Sequence, residues 1–194
     1  RLGEAMLELF FNEFFVWGQV QTDPHFGNYK LSPATADKPV QLILFDFGAV
    51  RKFSQGFITA YREFLRGVLY EDTNLYFDAA VRLGILAEGE KTTTVDKFYQ
   101  FCRLIMEPYI LATEPGYNAE FMSPDGIYDW AKSDLATRVA KRAAEIFYIF
   151  KIRSPDREIV FFDRKVSGVF VAMNVLGPKI PSRQIIDRYL EPTP

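Results

Sequence analysis

Residues 21–28 read QTDPHFGN, and residues 42–48 read LILFDFG. Three side chains with oxygen donors stand out in these segments, namely Asp23, Asn28 and Asp46. Carboxylate and amide oxygens are ligands that Mg²⁺ takes together with phosphate oxygens and water. A carboxylate five residues before an amide ligand can also accept a hydroxyl proton or orient a nucleophile. The pattern predicts a magnesium and phosphate site, provided that the fold brings the two segments together.

The chain between these segments has the pattern of a β hairpin. Residues 29–31 and 40–45 are predicted as two short strands, and residues 32–39 have the composition of a surface turn. Such a hairpin folds the far end of the second strand back towards the start of the first. We therefore expect Asp46 to lie near Asn28.

The rest of the chain shows helical periodicity. Gly177-Pro178 marks the end of the longest late helix, and Ser154-Pro155 marks its start, with serine as the N-cap and proline in the first turn. The predicted fold class is mainly α with one small β hairpin. The predicted helices cover about residues 2–17, 54–69, 74–86, 94–111, 132–150, 154–176 and 182–190.

Composition excludes several classes of protein. The length of 194 residues fits a single domain. The chain has 23 basic and 25 acidic side chains, so it lacks the excess of positive charge that a nucleic-acid-binding protein needs. A single cysteine, Cys102, excludes a disulfide framework, and a single histidine, His25, argues against a zinc site of the His/Cys type. The longest purely apolar stretches are far shorter than a membrane span.

The order of the two motifs resembles the protein-kinase-like fold, in which Asp-x-x-x-x-Asn precedes Asp-Phe-Gly. The sequence is more similar still to the UbiB/AarF-type atypical kinase family, whose loop typically reads Asp-Pro-His-Pro-Gly-Asn. QTDP at residues 21–24 and DFGAVR at residues 46–51 resemble the branch of that family tied to coenzyme Q biosynthesis. FDRKVSG at residues 162–168 is similar to the family's late helix, so the resemblance spans nearly the whole chain.

This resemblance implies roles for the three oxygen-bearing residues. Asp23 matches the catalytic-loop aspartate, while Asn28 and Asp46 match the residues that hold Mg²⁺ and ATP. The implied activity is that of an ATP-dependent atypical kinase or ATPase that supports ubiquinone (coenzyme Q) biosynthesis. The implied partners are a nucleotide, a quinone precursor or lipid, and a membrane-associated biosynthetic complex. The implied location is cytoplasmic and peripheral at a membrane, on the mitochondrial matrix face in a eukaryote.

The resemblance also predicts what residues 1–194 represent. A kinase needs a lysine on the phosphates, its glutamate partner and a phosphate-covering loop. Neither these nor the family's Lys-x-Gly-Gln motif occurs before Asp23. We therefore expect the chain to be the C-terminal lobe of a kinase-like domain, without the N-terminal lobe, and to be inactive alone. Two departures from the family pattern are Phe26 in place of proline and Gln21 in place of histidine.

Two other functions fit parts of the pattern. One is a non-catalytic pseudokinase scaffold that binds nucleotide or lipid. The other is a phosphotransferase of the aminoglycoside- or choline-kinase type, which shares the Asp…Asn and Asp-Phe-Gly logic. Two features argue against the phosphotransferase. One is Ala49-Val50-Arg51 directly after the second motif, and the other is the late helix sequence DRKVSG at residues 163–168.

Several single residues have competing interpretations. His25 could polarise a phosphate, but a loop histidine more often braces its loop through a backbone hydrogen bond. Cys102 lies on an apolar helix face and is predicted to be a buried, unreactive thiol. Arg164 and Lys165 interrupt an apolar helix, either as a solvated patch or, for Arg164, in a buried ion pair. The apolar rows at residues 57–69 and 147–150 are interpreted as core rather than as a lipid groove.

Overall fold

A computed structural model describes residues 2–23, 25–35, 38, 40–150 and 157–191, excluding the side chains of residue 26 and residues 147–150. Within these ranges the chain is mostly helical, as the sequence predicts. The predicted hairpin is present, and two further small sheets that the sequence did not predict accompany it. The described residues form three separate two-stranded antiparallel sheets.

The described part of the chain contains seven α-helices and six short strands. The helices in the described part are α1 (Leu2–Phe11), α2 (Gln55–Leu69), α3 (Thr73–Arg82), α4 (Thr92–Ile105), α5 (Leu135–Phe150), α6 (Arg157–Leu176) and α7 (Ser182–Leu190). The strands are β1 (Gln19–Gln21), β2 (Tyr29–Ser32), β3 (Gln41–Leu44), β4 (Val50–Lys52), β5 (Tyr128–Asp129) and β6 (Lys179–Ile180). The pairs are β1 with β4, β2 with β3, and β5 with β6.

The first predicted helix changes its winding before it ends. After α1 the chain continues as a π-helical turn over Asn12–Val16, and the amide of Trp17 donates to the carbonyl of Asn12 at 2.9 Å. Such a turn shifts the side chains that follow relative to an unbroken α-helix. Glu13 lies in this turn and is only 4% exposed, although the sequence alone gives no reason to bury a carboxylate there.

Other helix boundaries differ from the predictions for local reasons. The helix predicted to reach residue 111 ends at Ile105, because Pro108 lacks an amide hydrogen and the chain continues as a 3₁₀ turn over Glu107–Tyr109. The end of α6 at Leu176 is confirmed, with Gly177 at a φ of +54°. The predicted start of that helix at Ser154-Pro155 lies outside the described residues.

The core contains a cluster of aromatic rings where α1, α2 and α6 meet. Phe14 is completely buried, and its ring centroid lies 4.0 Å from that of Phe162. Phe53, Phe57 and Tyr61 surround these two rings. The apolar row within residues 57–69 therefore belongs to the core, as predicted, whereas the side chains at 147–150 lie outside the described part. The thiol of Cys102 is also buried, and burial raises its pKa well above the ordinary value.

Candidate functional site

A short sheet joins the first motif to the residues that follow the second. In the pair of β1 and β4, Gln21 stands opposite Val50. One residue further on, Thr22 donates to the carbonyl of Ala49 from both its amide, at 3.1 Å, and its hydroxyl, at 2.9 Å. The Thr22 side chain thus extends the pairing beyond the sheet and holds the start of the loop in place.

The predicted hairpin joins the other ends of the two motifs. In the pair of β2 and β3, Tyr29 stands opposite Leu44. The amide of Phe45 donates to the carbonyl of Asn28 at 2.8 Å, which continues the pairing by one step. The hairpin therefore brings the residue before Asp46 into contact with Asn28, as the sequence predicts.

Asp23 and Asn28 are in direct contact. The side-chain amide nitrogen of Asn28 lies 3.1 Å from the carbonyl oxygen of Asp23 and 3.2 Å from its Oδ2. Because the nitrogen donates to Asp23, the side-chain oxygen of Asn28 is the atom that remains for a metal ion. The two residues that the sequence places five apart thus share one hydrogen-bonded loop.

Asp46 adopts a backbone conformation that is uncommon for a residue other than glycine. Its φ is +57°, in the left-handed region that aspartate tolerates better than most side chains. Its Oδ1 accepts a hydrogen bond from the amide of Gly48 at 2.9 Å. A Cβ atom at Gly48 would lie 3.0 Å from that oxygen, so glycine favours this tight turn. The carboxylate is part of an exposed residue and is accessible to a ligand.

Gln21 connects the two motifs, a role that the sequence analysis missed. Its side chain is buried, its Oε1 accepts from the amide of Asp23 at 3.1 Å, and its Nε2 donates to the carbonyl of Asp46. A single amide group therefore fixes the backbone of both acidic residues. No sequence signal identified this role, because β1 has only three residues and buries both Val20 and Gln21 instead of alternating.

A buried ion pair lies directly behind Gln21. The ammonium of Lys165 is 2.6 Å from Oε2 of Glu13, and the two side chains are 2% and 5% exposed. The other carboxylate oxygen of Glu13 accepts from the amide of Gln21 at 3.4 Å. Burial raises the pKa of Glu13 although Lys165 acts in the opposite direction. The solvated-patch interpretation is therefore wrong for Lys165.

The neighbouring cation reaches the candidate catalytic residue itself. Nη2 of Arg164 lies 3.1 Å from Oδ1 of Asp23, and the two side chains are 60% and 39% exposed. Arg164 thus forms an ion pair across the fold, but the pair is exposed rather than buried.

His25 braces the loop, in agreement with the structural interpretation. Its Nδ1 accepts a hydrogen bond from the amide of Gly27 at 3.0 Å. A Cβ atom at Gly27 would lie 2.8 Å from the same nitrogen, so this close turn favours glycine. The contact braces the backbone from His25 to Gly27, on either side of Phe26, which stands in place of the family's proline.

The donor set fits a magnesium ion that also binds phosphates. Asn28 offers an amide oxygen and Asp46 a carboxylate, and Mg²⁺ is commonly bound by one or two protein oxygens together with phosphate and water. In the described part of the chain, no group of three or more His, Cys, Asp or Glu side chains is arranged to hold a metal ion.

Comparison with known proteins finds atypical kinases that are similar to this chain in sequence. Residues 1–79 match the model of the ABC1 atypical kinase-like domain. The chain is 25% identical over 165 residues to the mitochondrial atypical kinase coq-8 of Caenorhabditis elegans, covering 85% of this chain and 20% of that protein. It is 24% identical over 172 residues to the mitochondrial atypical kinase COQ8 of Schizosaccharomyces pombe, covering 89% and 26%. The corresponding figures for COQ8 of Saccharomyces cerevisiae are 23% over 179 residues, 92% and 32%.

These matches confirm the resemblance to the UbiB-type atypical kinases. They also show that the chain spans about a fifth to a third of the length of these relatives. Among the residues that the structure describes, none of the helices combines the length and apolar character needed to cross a bilayer.

Proposed function

We propose that this chain, a homologue of the COQ8 atypical kinases, is the C-terminal lobe of an enzyme that uses Mg²⁺ and ATP in support of coenzyme Q biosynthesis. The match of residues 1–79 to an atypical kinase-like domain supports the broad class of activity, that of a kinase or phosphotransferase. The N-terminal lobe that completes the phosphate site is proposed to belong to the same protein, outside residues 1–194.

One observation carries the proposal, namely the amide of Gln21 between the two motifs. It accepts from Asp23 and donates to the carbonyl of Asp46, residues that are 23 positions apart. Asn28 contacts Asp23 from the other side of the loop. A chance pair of turn-forming acids has no need of a shared, buried polar link, whereas a phosphate site requires its ligands at fixed positions.

Each residue then has a role that its contacts support. Asn28 and Asp46 hold the metal ion through side-chain oxygens, and Asp23 orients or deprotonates the acceptor hydroxyl. The metal ion, when bound with ATP, supplies positive charge against the negative charge of the transferring phosphoryl group. Gln21 and His25 touch no reactant in this proposal and keep the loop in shape.

The acceptor is proposed to be a quinone precursor or lipid, reached at a membrane surface where the protein joins a biosynthetic complex. The homologues are mitochondrial proteins, which supports a mitochondrial location in a eukaryote. The matrix face of the membrane is part of the proposal. If water takes the place of the acceptor, the same site acts as an ATPase.

The test is Mg²⁺-dependent ADP release by the full-length protein, with and without membrane lipid or phenolic quinone precursors. Asp46→Asn keeps the size of the side chain and its tolerance of a positive φ, but removes the charge that holds the metal ion. We expect this variant to lose turnover. Asp78→Asn, at an exposed position on α3, is the matched control and should remain active.

The possible results separate the competing functions. Turnover that persists in Asp46→Asn contradicts the metal assignment. Magnesium-dependent ATP binding without any turnover favours the pseudokinase scaffold. Turnover with hydroxylated cationic substrates alone favours the aminoglycoside- or choline-kinase type.

A further inference from the structure

Helix α6 carries two adjacent cations that reach two different acids around the site. Lys165 is buried against Glu13 at 2.6 Å, and Arg164 reaches Asp23 at 3.1 Å. Consecutive residues on an α-helix point about 100° apart. One residue can therefore anchor the helix in the core while the next extends along the surface to the loop.

The ion pair of Lys165 fixes the position of the backbone from which the Arg164 side chain extends. Lys165 is held by an ion pair with less than one-tenth of either side chain exposed, and it also lies 3.4 Å from the hydroxyl of Tyr29 in β2. Phe162, one turn earlier on the same helix, packs on the ring of Phe14. The backbone at residue 164 is thus held against both the π-helical turn after α1 and the hairpin.

The Asp23 carboxylate is held from two sides. Arg164 contacts Oδ1, and Asn28 donates to Oδ2. A carboxylate that accepts from two directions has a restricted rotation about its side-chain bonds. Of these two contacts, the one to Asn28 comes from the loop itself, whereas the one to Arg164 comes from a helix 141 residues further along the chain.

We infer that Arg164 is a positioning residue of the proposed phosphoryl-transfer site, which orients the Asp23 carboxylate towards the acceptor hydroxyl. The inference rests on the proposed function, because it assigns Arg164 a role through Asp23. Arg164 does not hold the nucleotide in this proposal. Its removal therefore lowers the rate of the chemical step and leaves nucleotide binding unchanged.

The chain offers a closely matched control for this residue. Arg188 on α7 pairs with Glu8 on α1 at 2.6 Å, with side chains 58% and 40% exposed. The corresponding exposures for Arg164 and Asp23 are 60% and 39%. Exposed ion pairs contribute little to stability, so Arg164→Ala and Arg188→Ala should both leave the thermal midpoint nearly unchanged.

The experiment measures kcat and KM for Mg²⁺–ATP in the full-length protein and in its variants. We expect Arg164→Ala to lower kcat by roughly 10- to 100-fold, with KM within about twofold of the unmodified protein, because misplacing a reacting group costs rate rather than binding. Arg164→Lys should recover part of kcat, since the contact to Asp23 involves a single nitrogen. Arg188→Ala should match the unmodified protein.

A kcat for Arg164→Ala within about twofold of the unmodified value overturns the inference but leaves the proposed function intact. An increase in KM at constant kcat also overturns it, because Arg164 would then act in nucleotide binding. An equal decrease of kcat in Arg188→Ala also overturns the inference, because the decrease would then follow from the loss of any surface positive charge. Absence of turnover in the unmodified full-length protein refutes the enzymatic proposal itself, and the inference with it.

Discussion

Replacing Lys165 by methionine is the most informative perturbation of the fold around the site. Methionine keeps the unbranched shape of the lysine side chain and removes its charge. In the structure the ammonium lies 2.6 Å from Glu13, and both side chains are almost entirely buried. The substitution therefore leaves a carboxylate in the core without its cation.

The expected loss of stability is large. Removing one partner of a buried ion pair costs about 3–5 kcal/mol, compared with a total of about 5–15 kcal/mol for a typical domain. Replacing Glu13 by glutamine in the same chain removes the unpaired charge and keeps an oxygen for the amide of Gln21. The double variant should therefore recover at least about 2 kcal/mol of the loss, because two neutral groups avoid the desolvation of an ion.

The loss should also depend on pH in a defined direction. The pKa of Glu13 is raised in the folded chain, mainly because burial disfavours the charged form. Between the unfolded and folded pKa values the folded state binds more protons, so this group stabilises the fold at low pH and its contribution is lost as pH rises. Lys165→Met removes the cation that opposes the shift. The variant should therefore lose stability more steeply with rising pH than the unmodified chain.

The assay is denaturant unfolding at several pH values, followed by tryptophan fluorescence. Trp130 is 1% exposed and reports on unfolding, whereas Trp17 is 55% exposed. A loss for Lys165→Met below about 1 kcal/mol would refute the account of a buried ion pair. An equal loss of stability for Lys165→Met at pH 5 and pH 8 would refute it as well. The same holds if the double variant is no more stable than Lys165→Met alone.

Three further predictions follow from the fold and the proposed function. Gly67→Ala should destabilise the chain by roughly 1–3 kcal/mol in denaturant unfolding, because an added Cβ would overlap the backbone of Tyr76 where α3 packs on α2. Cys102 should not react with a polar thiol reagent until the chain unfolds, since the thiol is buried and its pKa is raised; rapid labelling of the native chain would contradict this. The 194 residues alone should release no ADP from Mg²⁺–ATP above the background rate, and robust hydrolysis would refute the proposed division into lobes.

The loop and the hairpin were predictable because their signals are local. A turn-rich segment between two apolar runs predicts the hairpin, and the hairpin alone brings Asn28 beside the residue before Asp46. The brace from His25 was also predictable, because it joins residues only two positions apart. Helix ends marked by glycine and proline, such as Gly177, were placed correctly for the same reason.

The long-range ion pairs that support the site could not be predicted from local signals in the sequence. Glu13 is buried against Lys165, and periodicity cannot reveal which cation a buried acid will meet. Lys165 and its partner Glu13 are 152 positions apart in the sequence, and Arg164 and Asp23 are 141 positions apart. The sequence showed two cations in an apolar helix, but only the packing of α6 on α1 determines which acid each one meets.

The sheets β1/β4 and β5/β6 were missed because their strands are short. Each strand has two or three residues, too few to establish an alternating pattern. Gln21 lies at the end of β1, so its link between the two motifs could not be derived from the motifs themselves.

The most direct test of the central claim is the binding of a divalent cation at Asn28 and Asp46. Mn²⁺ can replace Mg²⁺ and is detected by electron paramagnetic resonance, here by titrating the full-length protein in the presence of a non-hydrolysable ATP analogue. The account predicts that the unmodified protein binds the metal–nucleotide complex and that Asn28→Ala and Asp46→Asn each weaken binding by about tenfold or more, as loss of a ligand should. Equal affinity in all three proteins would contradict the assignment of these two residues as metal ligands.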